Sequence, residues 1–248
     1  MTSPDGLLEL FVEAGEAVGR AVQAIPLAER RARTERPGQY ALDLVADAAA
    51  CAVLARAEVR IVSEESGVHE RAGAPVTVVV DPVDGSTNCA RGIAYWSTSL
   101  CALDADGPLA ALVVNHAGGA RTTAVRGAGA FRDGVRLQAS TTTRLADAVV
   151  AVGAWLPRPS AAKQTRMLGS IALELVDVAA GGLDAHVDAG AFVGPWDYLG
   201  GYLVCLESGA VVRDVGGARL VTDDPDARRQ ILAAGTADLA DALQAWVT

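Results

Sequence analysis

The sequence predicts an α/β protein with helices and sheets in stacked layers. Three features point there: an N-terminal segment of helical periodicity, a run of short β-branched stretches parted by turn residues, and a second half in which strand-like and helix-like segments alternate. Hydrophobic residues make up 51% of the 248 positions and aromatic ones only 4%, so Ala, Val and Leu must fill most of the core. Small side chains let layers pack closely, and the length suits one large domain or two tightly packed halves.

Leu7, Leu8, Phe11, Val12, Val18, Val22 and Ile25 form an apolar stripe at helical spacing, interrupted at Gly15, which allows a close contact. Pro4 and Asp5 suit the start of this helix and Pro26 its stop. Residues 28–39 are polar, arginine-rich and contain Pro37-Gly38, which predicts a mobile loop. A second helix is expected from Asp43 or Asp47 through Arg56. Strands are expected at 59–62 and 76–80, then at 97–103 and 109–115 around a hairpin turn at 104–108, and at 121–125 and 130–132. Together they predict a largely antiparallel sheet. A polar stretch at 137–144 marks a seam between an N-terminal α+β half, 1–140, and a C-terminal α/β half, 141–248, within one compact unit. Beyond it, strands are expected at 149–152, 184–187 and 230–234, and helices at 171–179, 196–208 and 237–246.

The net charge of −9 argues against a nucleic-acid surface, which needs clustered Lys and Arg. No run approaches a membrane span, and the acidic N-terminus lacks the basic start of a secretory signal, so a cytoplasmic location is expected. Cys51, Cys89, Cys101 and Cys205 show no paired spacing and are expected as reduced thiols. His69, His116 and His186 are too separated to suggest a zinc site, and Gly127-Ala128-Gly129 is too short for a dinucleotide fingerprint. There is no serine-hydrolase elbow.

Asp81 and Asp84 directly follow the strand at 76–80, on a rigid strand end. Pro82 holds Asp81 extended and the chain turns at Gly85, so both carboxylates and the intervening Val83 carbonyl can converge on one point. Such hard oxygens suit magnesium. The following Gly85-Ser86-Thr87-Asn88 can offer backbone N–H groups to a phosphate at a helix N-terminus. By itself, Asp-Pro-Val-Asp-Gly reads as a polar turn. Further acids come from Ser63-Glu64-Glu65-Ser66, after another strand, and from Asp197 near a helix start. Their plainer readings are a solvated loop and an acid favoured by the helix dipole.

In order, Ser-Glu-Glu-Ser at 63–66, Asp-Pro-Val-Asp-Gly-Ser-Thr-Asn at 81–88 and Trp-Asp-Tyr-Leu-Gly-Gly at 196–201 resemble the signature segments of the inositol monophosphatase family. The resemblance covers nearly the whole chain, with Gly-Ala-Gly-Ala-Phe at 127–131 and Gly169-Ser170. It implies an αβαβα sandwich of the inositol monophosphatase and fructose-1,6-bisphosphatase type, usually a homodimer, dependent on magnesium and inhibited by lithium. It further implies that Glu64, Asp81 and the Val83 carbonyl hold one cation and Asp81, Asp84 and Asp197 a second, with two or three Mg2+ in all and Glu65 in support. Two ions about 4 Å apart clamp the attacking and leaving oxygens of an in-line displacement.

By the same resemblance the Gly85 and Ser86 amides hold phosphate, and the Ser86 hydroxyl orients the attacking water. Asp47, with Asp43 as its rival, accepts a proton from Ser86, so that Glu64, Ser86 and Asp47 are the catalytic set. Asp84, Gly169, Ser170, Ile171, Asp188 and Asp197 face the substrate. The loop 189–195 reads longer than in the animal enzymes, and Cys89 stands where the family often has phenylalanine. The expected activity is hydrolysis of a small phosphorylated polyol, inositol monophosphate first. Histidinol phosphate, fructose-1,6-bisphosphate and a 3′-phosphonucleotide are rivals, and a non-catalytic protein- or RNA-binding family member is the alternative of a different class.

Overall fold

The computed structural model describes residues 3–154, 161–188, 190 and 193–248. Helix α1 (Pro4–Gln23) begins where Ser3 Oγ accepts the Gly6 amide at 3.3 Å, with Pro4 in its first turn. Its buried face includes Leu7, Phe11, Ala14, Gly15, Val18, Gly19 and Val22, whereas Leu8 and Val12 of the expected stripe are only partly covered. The small residues explain the rotation. A Cβ on Gly15 would lie 3.0 Å from Val114 Cγ2, so the glycine lets the helix settle directly on a strand. The loop at 28–39 is tied at several points: the Arg33 guanidinium lies 3.5 Å from the centroid of Tyr40, and Gln39 donates to Glu65. Helix α2 (Ala41–Leu54) starts two residues before the nearer expected position, because Asp43 Oδ2 accepts the Tyr40 amide at 2.8 Å and closes its first turn.

The first sheet contains β1 (Val59–Ser63), β2 (Gly67–His69), β3 (Val76–Asp84), β4 (Ser97–Asp104), β5 (Gly107–Asn115), β6 (Arg121–Val125), β7 (Gly129–Arg132) and β8 (Val135–Arg136), with a short helix α3 (Ser86–Arg91) after β3. Its order is β2-β1-β3-β4-β5-β6-β7-β8, antiparallel throughout except for the parallel β1–β3 pair. Strand β3 runs further than expected, through Asp81-Pro82-Val83-Asp84, so these acids sit within its end rather than after it. A β-bulge makes this possible. Asp81 pairs with Ser99 and Asp84 with Ser97, leaving Pro82 and Val83 together opposite Thr98.

The second sheet contains β9 (Val149–Val152), β10 (Gln164–Arg166), β11 (Ala185–Val187), β12 (Val211–Asp214) and β13 (Ile231–Ala234), in the order β10-β9-β11-β13-β12. Helices α4 (Ile171–Ala179), α5 (Pro195–Glu207) and α6 (Ala237–Val247) interleave with it. Helices α1 and α2 cover the outer face of the first sheet, α4 and α5 fill the space between sheets, and α6 covers the outer face of the second. The result is the αβαβα sandwich. Its middle layer is thin because of two glycines in α5. A Cβ on Gly200 would come within 2.5 Å of Ser99 Oγ, and one on Gly201 within 2.6 Å of Leu175 Cβ. Only bare backbone fits between β4 and α4, and that close seat brings Asp197, in the first turn of α5, to the end of β3. All four cysteines are free and buried, and no helix among the described residues is long and apolar enough to cross a membrane.

Candidate metal centre

Asp81, Asp84 and Asp197 each turn a carboxylate oxygen inward, and the three lie within 4.8 Å of one another. Each is fixed by its own chain segment. Asp81 Oδ1 accepts the Val83 amide at 2.9 Å, across the bulge. Asp197 Oδ2 accepts the Gly194 amide at 2.6 Å at the start of α5. Asp84 lies at the N-terminus of α4 and accepts from Ser170 Oγ at 2.5 Å, the Ala172 amide at 2.8 Å, the Ile171 amide at 3.2 Å and Ser97 Oγ at 3.3 Å. Glu64, just beyond β1, stands outside the trio, but its charge acts on Asp81 and Asp197.

Burial, followed by repulsion from Glu65, pushes the Glu64 carboxyl up to about 7, and burial lifts Asp84 to about 6 against the hydrogen bonds from Ser170 and Ala172. Asp81 and Asp197 are held well above the usual carboxylate range by burial and by the charge of Glu64. Arg228 pulls against this at Asp197. Converging oxygens with so little compensating charge fit a hard divalent cation.

This arrangement has a measurable consequence for the ion-free protein. A carboxyl whose folded pKa exceeds its unfolded one contributes stability at low pH that is lost as pH rises through the folded value. For Glu64, that window runs from the ordinary 4.5 to about 7. His116 acts oppositely below its ordinary 6.5, because burial lowers it to about 4. The melting temperature of chelator-treated protein is therefore expected to fall as pH rises from 6.5 through about 7, and added Mg2+ to reverse the fall. A flat or rising profile without the ion would contradict the account.

Gly85 has φ +89°, and a Cβ there would meet the Gly169 carbonyl at 2.9 Å, so glycine is required to start α3. The Ser86 hydroxyl donates to the Val83 carbonyl at 3.2 Å. Asp47 does not meet Ser86. Its Oδ1 accepts from Ser63 Oγ at 2.5 Å and Cys51 Sγ at 3.5 Å, because a position one turn along α2 turns it toward β1. The rival, Asp43, is the acid beside Ser86, and burial pushes its pKa up to about 6 against the hydrogen bond from the Tyr40 amide. The hydroxyl proton is aimed at Val83, and Asp43 Oδ1 is left without a hydrogen-bond partner.

Gly169, Ser170 and Ile171 come against the site, but Ser170 and Ile171 spend their donors on Asp84. Asn88, which the sequence did not single out, lashes this strip down through Nδ2 to the Leu168 carbonyl at 2.7 Å and the Tyr95 carbonyl at 2.8 Å. Glu65 is held by Gln39 and Arg36 on the preceding loop. Asp188 is buried after β11, where its Oδ1 accepts the Gly190 amide at 2.8 Å; among the described residues no hydrogen bond joins it to the trio. Of the loop 189–195, residues 189, 191 and 192 lie outside the described residues.

A cluster of carboxylates at a strand end, enclosed by the layers of an αβαβα sandwich, defines the class of protein. Comparison with known proteins specifies it. A model of the inositol monophosphatase family matches residues 7–246. A fructose-1,6-bisphosphatase of Pyrococcus furiosus is 35% identical over 64% of this chain and 63% of its own length, slightly under two thirds of that protein. The Nus factor SuhB of Escherichia coli K12 is 31% identical over 74% of this chain and 76% of its own. A solved protein of Pyrococcus horikoshii, described as having similarities to inositol-1 monophosphatase, superposes with a TM-score of 0.90 over 99% of this chain and 100% of that one, at 24% identity, which establishes the shared fold. The chain belongs to the inositol monophosphatase family.

Proposed function

We propose that this protein hydrolyses a small phosphomonoester, inositol monophosphate foremost, with Mg2+ held by Glu64, Asp81, the Val83 carbonyl, Asp84 and Asp197. The observation that carries the reading is the trio of converging carboxylates, two buried and one half-buried, beside a left-handed glycine at a helix start. Bound there, divalent cations would supply charge neutralisation for a phosphoryl group and acidification of a water. The protein's own part is positioning and proton transfer. The Gly85 and Ser86 amides cradle phosphate oxygens, and the Ser86 hydroxyl orients the attacking water. The free Oδ1 of Asp43 accepts the proton that Ser86 relays.

The charge around the site favours a neutral polyol over a polyanionic or nucleotide substrate. Asp84, Asp188 and Asp197 suit hydroxyl groups and repel a second phosphate, for which Arg228, 5.3 Å from the Trp196 ring, is a cation at hand. At saturating Mg2+, inositol monophosphate is expected to show a higher kcat/KM than histidinol phosphate, fructose-1,6-bisphosphate or a 3′-phosphonucleotide. Preference for the bisphosphate would reassign the substrate. Hydrolysis of none of them would overturn the catalytic reading in favour of a binding role, for which similarity to a Nus factor is the supporting observation.

A further inference from the structure

The bulge in β3 sets Asp81 and Asp84 on either side of Pro82 and Val83, and it frees three backbone groups from the ladder. Buried groups of this kind need partners. The Val83 amide donates to Asp81 Oδ1 at 2.9 Å, and the Val83 carbonyl accepts from Ser86 at 3.2 Å, both inside the same loop. The third group, the Pro82 carbonyl, is satisfied from outside, by Thr98 Oγ1 on β4 at 2.8 Å.

Thr98 is fully buried, and its hydroxyl has one proton. With that proton given to Pro82, the oxygen can only accept from its other neighbour, His116 Nε2, at 2.8 Å. The imidazole must therefore carry its hydrogen on Nε2. Burial pushes its pKa down to about 4, so the ring is neutral near pH 7. The ring is held on two sides: Trp96 stacks on it with centroids 4.5 Å apart, and a Cβ on Gly19 of α1 would stand 3.1 Å from Nδ1. A chain of donors thus runs from His116 through Thr98 to the carbonyl between the two acids.

We propose that Thr98 and His116 are positioning residues of the cation site, holding the Pro82 carbonyl and thereby the spacing of Asp81 and Asp84. The proposal rests on the metal reading above. Neither residue touches the acids themselves, so the effect reaches a cation only through backbone geometry. Outer partners of this kind typically change metal affinity by about 10–100-fold.

The test is calorimetric titration of Mn2+ into chelator-stripped protein, compared with melting temperature. Thr98→Val and His116→Phe are expected to bind Mn2+ at least about tenfold more weakly. Thr98→Ser keeps the hydroxyl and His116→Gln keeps a donor near the Nε2 position, and both are expected to restore affinity. A merely structural role would lower the melting temperature and leave affinity unchanged. Nitrogen-15 NMR of the ion-free wild type is expected to show the Nε2–H tautomer, a readout that needs no variant to fold. A Thr98→Val protein with wild-type affinity, or an Nδ1–H tautomer, overturns this proposal alone. A wild type that binds no Mn2+ overturns the metal reading and this proposal with it.

Discussion

Replacing Asp81 by asparagine is expected to remove nearly all phosphate release while making the ion-free protein more resistant to heat at pH 7.5. Both effects have one cause. Asp81 is 1% exposed and faces Glu64, Asp84 and Asp197, whose charges oppose its own. An asparagine keeps an oxygen for the Val83 amide, and its NH2 brings no charge to oppose Glu64. The repulsion goes, and so does a ligand common to both expected cations. Activity should fall on the order of 10²–10³-fold, the loss that follows removal of one preorganised electrostatic group. Each pKa unit of strain relieved is worth about 1.4 kcal/mol, or about 3 °C in a domain of this size. Initial rates and melting curves on the same preparations check both halves. An asparagine variant that stays active, or one that melts lower without metal, contradicts the assignment.

Asp43→Asn should lower kcat by about 10²-fold or more at saturating Mg2+, the lower range for loss of a positioned acid–base group. Asp47→Asn should cost far less, since Asp47 binds Ser63 and Cys51 rather than Ser86. The ionised form of Asp43 is the competent one, so activity should rise with pH through about 6 in the wild type. That acidic limb should vanish in Asp43→Asn and persist in Asp47→Asn. The opposite pattern in the kcat–pH profiles would return the role to Asp47.

The long elements were legible because burial leaves a period in the residues. The strand ranges 149–152 and 121–125 and the helix range 171–179 read directly. The strands that escaped, β2, β8, β10 and β12, are all short sheet edges without a fully buried residue, and such an edge leaves no alternation to find. Asp43 and Asp47 share one face of α2 four residues apart, so composition could not choose between them. The helix start sets which of them lies beside Ser86, and that depends on Tyr40, which is not a customary cap. Thr98 and His116 carry no sequence signal at all. A threonine in a buried strand reads as a strand former, and only the register shift at Pro82 gives it a task. The acidic trio was legible only as a set, since each acid alone is a turn or a helix end.

The central claim is that this trio of carboxylates works through a bound divalent cation on a phosphate ester. Phosphate release from inositol monophosphate by chelator-stripped wild-type protein, followed while Mg2+ is titrated in, tests it most directly. The account predicts no release above buffer without Mg2+ and a saturable rise as the ion is added, with no such rise in Asp81→Asn. Equal release with and without Mg2+, or a titration unchanged by Asp81→Asn, would contradict it.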